Sequence, residues 1–159
     1  MTRTTTAALV ALATLAPAPS ARAGDGCKPV YGFYTSQIQP TCAGALCTAG
    51  ELIGGIQADY AFVATGLLPA NALAAAPDPA LVAAIFYVGA SDVALKHGGE
   101  HVFASDAGVI DQATGKQAAL LVITGGTGAY EGATGFLQLR GTLAGGQVTG
   151  DYSGEICTP

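Results

Sequence analysis

The sequence predicts an all-β protein: one antiparallel up-and-down β-barrel of about eight strands behind a cleaved signal peptide. Three observations lead there. The 23 glycines all follow residue 23 and are spread along the rest of the chain. Between them, apolar and polar residues alternate in short stretches, the period of a half-buried strand. The connections are short, so consecutive strands are antiparallel neighbours, as in a barrel or a sandwich.

The first element is the export signal. Arg3 gives a positive start, Ala7 to Ala16 is apolar, and Ala21-Arg22-Ala23 is a signal-peptidase site. The apolar run is too short to span a bilayer, and Pro17 and Pro19 break it as a helix. Cleavage after residue 23 leaves 136 of 159 residues, the span 24–159, enough for one core. Residues 30–39, with Val30, Tyr31, Phe33, Tyr34 and Ile38, form a first strand, and 41–50 a Cys-Gly-Thr loop. Glu51 to Thr65 reads as one long strand. Leu52, Ile56, Tyr60 and Phe62 share one face, and Ile53, Gln57, Asp59 and Val63 the other, with Gly54-Gly55 as a bulge or bend. Leu67 to Pro79 reads mainly as a loop.

Leu81–Lys96 and Glu100–Ile110 form a hairpin about a two-residue Gly98-Gly99 loop. That register sets His97 opposite Glu100, Leu95 opposite Val102, Val93 opposite Ala104 and Ser91 opposite Asp106. These residues share a face with Ile85, Tyr87 and Ile110, which is assigned to the interior. Asp92, Lys96, His101, Ser105, Phe86 and Phe103 take the other face. Asp111 to Gly115 is a turn, and Lys116 to Thr124 a strand broken by Gly125-Gly126-Thr127-Gly128. Phe136–Leu143 and Gln147–Ile156 flank a Gly145-Gly146 turn. In the last strand Val148, Gly150, Tyr152, Gly154 and Ile156 alternate with Thr149, Asp151, Ser153 and Glu155.

Four cysteines in an exported chain read as a disulfide framework. Three pairings are possible. Cys42–Cys47 with Cys27–Cys157 is preferred, because the first pair is close in sequence and the second ties the ends, where a barrel pairs its first and last strands. No C-x-x-C occurs, which argues against a zinc site. Without the signal, four basic residues face 11 acidic ones, a net charge of −7. Phosphate binding needs clustered Lys and Arg, so nucleic acid and anionic membranes are not expected partners. No later apolar run is long enough to insert in a membrane as a helix.

The stretch Leu121 to Gly135 carries a more specific pattern. Ile123, Gly125, Gly126, Thr127, Gly128, Tyr130, Ala133 and Gly135 fill an I-x-G-G-T-G-x-[YF]-x-x-A-x-G turn. Phe103 to Asp111 reads F-x-S-D-x-G-x-I-D, Thr114-Gly115 follows, and Tyr152 to Cys157 reads Y-S-G-E-I-C. This order resembles the secreted bacterial branch of the allene-oxide-cyclase-like and dirigent-like barrel superfamily. The resemblance implies an eight-stranded antiparallel, calycin-like barrel with a cavity. In plant relatives that cavity steers cyclisation of a fatty-acid epoxide or coupling of phenoxy radicals, without a redox cofactor. The catalytic residues of those enzymes lie outside the shared turn, so none is carried over.

Other chemical motifs are weak. Gly126-Thr127-Gly128 with Gly132 misses the dinucleotide spacing by one residue and lacks a strand–loop–helix unit. His97 and His101 flank a glycine turn and fall on opposite faces, so they read as solvated hairpin-tip residues with no metal. There is no G-x-S-x-G and no triad, and Asp106, Asp111 and Thr114 lack the calcium-loop spacing. The notable pair is Asp106 with Ser91 on the interior face. A carboxylate there must be hydrogen-bonded, and desolvation raises its pKa, which suits proton transfer. Tyr60, Tyr87 and Tyr152 point inward on the same reasoning. Tyr60, Tyr87, Ser91, Asp106 and Tyr152 are therefore the expected cavity residues, with Asp106 and Tyr87 as the catalytic candidates. The expected function is binding of a small apolar or aromatic molecule without a cofactor. The alternatives are a cofactor-free cyclase or isomerase, and an envelope protein whose barrel is packed solid.

Overall fold

The computed structural model describes residues 26–70 and 84–159. The expected signal peptide (residues 1–23) and most of the expected Leu67–Pro79 loop lie outside the described residues. The fold is a closed antiparallel barrel of eight strands in sequence order. They are β1 (Cys27–Ile38), β2 (Leu46–Gly54), β3 (Ala58–Pro69), β4 (Ala84–Leu95), β5 (His101–Asp111), β6 (Lys116–Gly126), β7 (Thr134–Ala144) and β8 (Gln147–Cys157). β1 closes the ring by pairing with β8 from Cys27↔Cys157 to Gln37↔Gln147. The cysteines form the Cys27–Cys157 and Cys42–Cys47 pairs, the state expected in an oxidising compartment.

Several boundaries differ from the sequence reading. Glu51–Thr65 is two strands, because the chain reverses between Gly54 and Ala58 and β2 then pairs with β3. Gly54 takes φ 126°, which a side chain resists. Leu46–Gly50, read as loop, is the first part of β2, and β3 continues through Pro69. β6 continues through Gly126, with a register shift against Phe103/Ala104, so the break comes at Thr127. The β4–β5 register is also two residues away from the expected one. Val93 faces Val102, Ser91 faces Ala104, and Asp106 faces Gly89.

The reason for that slip lies outside the hairpin. The loop spans Lys96–Gly99, closed by Leu95 N–H donating to Glu100 O at 2.8 Å. Lys96 N–H donates to Gln57 O at 2.9 Å, and Lys96 Nζ bonds Glu51 Oε1 at 2.9 Å. The β2–β3 end thus takes Lys96 and His97 out of the ladder. A slip of two preserves which side chains point inward.

The interior is filled by one chain-wide cluster including Tyr34, Leu52, Tyr60, Phe62, Tyr87, Val93, Leu121, Leu139 and Tyr152. Large rings fit because glycines face them. A methyl group at Gly108 would collide with the Tyr87 phenol, one at Gly141 with the Tyr34 hydroxyl, and one at Gly32 with the Tyr152 ring. Part of the glycine enrichment is therefore space for inward tyrosines, beyond the turns. The outer face is also apolar in places: Val88, Leu120 and Val122 are exposed there.

Candidate functional site

The expected cavity residues Tyr60, Tyr87, Ser91, Asp106 and Tyr152 are all buried inside the barrel. They do not form one group. Tyr152 stands apart, near the disulfide end. Its hydroxyl accepts from Ile56 N–H at 2.8 Å and donates to Ile56 O at 3.2 Å. Both capacities of the phenol are thus used on the β2–β3 turn. That leaves it a structural clamp, and sequence alternation alone does not show this.

Ser91 and Asp106 do meet, although they are not opposite one another. Ser91 Oγ donates to Asp106 Oδ2 diagonally across β4 and β5. Burial pushes the Asp106 carboxyl up to about 6, against a smaller lowering by the Ser91 hydroxyl. Tyr60 and Tyr87 are raised far above the usual phenol range, chiefly by burial, with the Asp106 charge adding to both. Their hydroxyls therefore stay protonated. Phe62 meets Tyr87 edge-on, with ring centroids 5.4 Å apart, which fixes the Tyr87 ring.

Sequence reasoning missed two members. Tyr34 and Ser36, on β1, are 1% and 3% exposed and line a narrow cavity of about 30 Å³ at the Ile38 end of β1. Tyr60, Phe62 and Tyr87 form its inner wall, and Ile38, Leu46, Ile110 and Leu143 frame it. Asp106 is not in that wall. The Tyr87 ring, seated on Gly108, stands between Asp106 and the framing residue Ile110. Tyr34 Oη, Ser36 Oγ and Asp106 Oδ1 are buried without a hydrogen-bond partner among the described residues. Burial, then the Asp151 charge, raises the Tyr34 phenol to about 12. The signal that could have found Tyr34 was its phase with Val30, blurred by Tyr31 and Phe33, which are apolar yet 74% and 67% exposed.

The volume bounds the chemistry. About 30 Å³ holds a water or one small functional group, far below the roughly 300–1,000 Å³ of a drug-sized site. Among the described residues no group of three or more His, Cys, Asp or Glu side chains converges on a metal position. His101 Nδ1 meets Asp92 Oδ1 at 2.7 Å on the outer face, while His97 Nε2 lies 3.3 Å from Gln57 Oε1.

The glycine turn is held by its own network. Thr127 N–H donates to His101 O and His101 N–H to Thr127 Oγ1, both at 2.9 Å, while Ala129 N–H donates to Glu100 Oε1 at 3.0 Å. Gly128 sits at φ 58°, with the Glu100 carboxylate where a Cβ would go. Every one of these contacts is explained by closing the barrel end. No protein-family model matches the chain, and no curated protein matches it.

Proposed function

We propose that this is a secreted barrel that binds a small apolar or aromatic molecule at the Ile38–Leu46–Ile110–Leu143 end. Only the polar tip of that molecule enters the interior. The observation that carries the reading is the presence of unpartnered hydroxyls, Tyr34 Oη and Ser36 Oγ, in the wall of a mainly apolar cavity whose other polar lining residues are Thr48, Gln117 and the tyrosines Tyr60 and Tyr87. Buried polar atoms are rarely left unpaired, and a ligand oxygen would complete them. The likeness of Leu121–Gly135 to the allene-oxide-cyclase-like and dirigent-like turn agrees with a ligand-binding barrel, and the signal-like N-terminus and disulfides agree with export.

The test is an NMR titration with p-cresol, a ring with one polar tip. Saturable shifts of the Ile38, Leu46, Ile110 and Leu143 methyls are expected. Tyr34→Phe with Ser36→Ala should weaken binding about ten-fold, the scale of one or two hydrogen bonds. Absence of binding at those methyls would leave a barrel packed for stability alone.

A second reading is supported by Asp106. A carboxyl near 6 can gain or lose a proton at neutral pH. It would reach a substrate tip through Ser91 and Tyr60 rather than directly, with Tyr87 as a neutral donor. Under this cofactor-free isomerase reading, the protein accelerates α-proton exchange of cyclohexenone in D2O, and Asp106→Asn abolishes it. Equal exchange by both proteins removes the reading.

A further inference from the structure

We propose that the disulfide end of the barrel carries a second, separate site, which takes a small amphipathic carboxylate. A cavity of about 250 Å³ opens there. Its floor is apolar, formed by Val30, Ile56, Leu95 and Ile156, with Tyr130 at the side. The clamp of Tyr152 on Ile56 stands between it and the barrel interior. A ligand here therefore does not compete with one at the Ile38 end.

The rim decides the ligand class. Lys28 shares the inward phase of Val30 and Tyr34 on β1 and stands exposed at this mouth. His97, on the β4–β5 loop, lines the same cavity, its Nε2 3.3 Å from Gln57 Oε1. Among the described residues no Asp or Glu lines it. In a chain with 11 acidic residues and few basic ones, that is a local reversal of sign. A concave site with apolar walls and a cation, Lys28, at its rim attracts the opposite charge. The volume, a little below the usual drug-sized range, fits one or two rings. An apolar ring on the Ile56–Leu95–Ile156 floor with its carboxylate toward Lys28 and His97 satisfies both halves.

The experiment titrates the folded, disulfide-bonded protein with 2-naphthoate and with the neutral 2-naphthalenemethanol, read by NMR. Naphthoate is expected to shift the Ile56, Leu95 and Ile156 methyls and the Tyr130 ring. Lys28→Gln and His97→Gln are both at exposed positions that leave the core intact; the first should weaken it about five-fold, the upper scale for a solvent-accessible charge, and the second by a smaller factor. The alcohol should bind less tightly and be insensitive to both substitutions. The proposal is overturned if naphthoate does not bind, if it shifts the Ile110 and Leu143 methyls instead, or if the substitutions leave its affinity unchanged.

Discussion

The two ends of the barrel use the same residue type in opposite ways. At the disulfide end the interior tyrosine, Tyr152, has its hydroxyl bonded twice to Ile56, and the first and last strands are joined by Cys27–Cys157. At the other end Tyr34 Oη and Ser36 Oγ are as deeply buried, yet neither has a partner among the described residues. An unpaired buried hydroxyl costs stability, so the second end has not been optimised for the folded state alone. The unpartnered hydroxyls that closing the barrel does not explain thus lie at the Ile38 end, and the remaining unpartnered side-chain group among the described residues, Asp106 Oδ1, lies between the two ends.

The largest test of that contrast is covalent. Cys27–Cys157 closes a separation of 130 residues and Cys42–Cys47 one of five. On the chain-entropy account the first contributes about 5 kcal/mol and the second about 2 kcal/mol. Cys27→Ser with Cys157→Ser should therefore lower unfolding stability in urea well beyond Cys42→Ser with Cys47→Ser. Equal losses would mean that the β1–β8 ladder closes the barrel and the bridge merely decorates it.

Next in size is the buried carboxyl between the ends. Asp106 goes from 3.8 when solvated to about 6 in the folded barrel. The folded state thus holds this proton more tightly than the unfolded chain. Its contribution is favourable at low pH and declines as pH rises from about 4 to 6, by roughly 3 kcal/mol in all. Asp106→Asn should remove that decline. The difference in stability between the variant and the parent should grow in favour of the variant across the window, measured by urea midpoints at each pH. A difference that is flat with pH would show the carboxyl to be solvated and unsuited to proton transfer.

Much of the fold is legible in the sequence, for specific reasons. Alternation in Gln147–Ile156 and around Tyr87–Val93 follows directly from the pleat, so the inward faces are right even where the register is not. The Ser91–Asp106 contact survived a wrong register because a slip of two turns an opposite pair into a diagonal one. The β2–β3 reversal is hidden because Leu52 before it and Tyr60 after it keep the same inward phase, with Ile56 in step between them. The hairpin loop was misjudged because Gln57 and Glu51, distant in sequence, hold Lys96. Tyr34 and Ser36 were missed because β1 carries aromatics on both faces, so hydrophobicity alone cannot tell inside from outside there. Nor does any single-strand pattern show which hydroxyls find partners: that depends on three strands at once.

The smallest effects decide most directly whether the ends differ. Tyr152→Phe keeps the ring against Gly32 and removes only the hydroxyl, leaving Ile56 N–H and C=O without their partner. Its cost should be about 1–3 kcal/mol, the desolvation penalty of newly orphaned groups. Ser36→Ala removes a hydroxyl that has no partner to orphan. It should change stability by less than about 0.5 kcal/mol, or raise it, because a buried unsatisfied group disappears. Thermal and urea unfolding of the two variants under one buffer compares them without any ligand. If Ser36→Ala costs as much as Tyr152→Phe, the Ser36 hydroxyl is bonded in the folded protein, and the case for a ligand at that end loses its central observation. If it costs nothing while p-cresol binding still weakens, the hydroxyl is kept for something other than the fold.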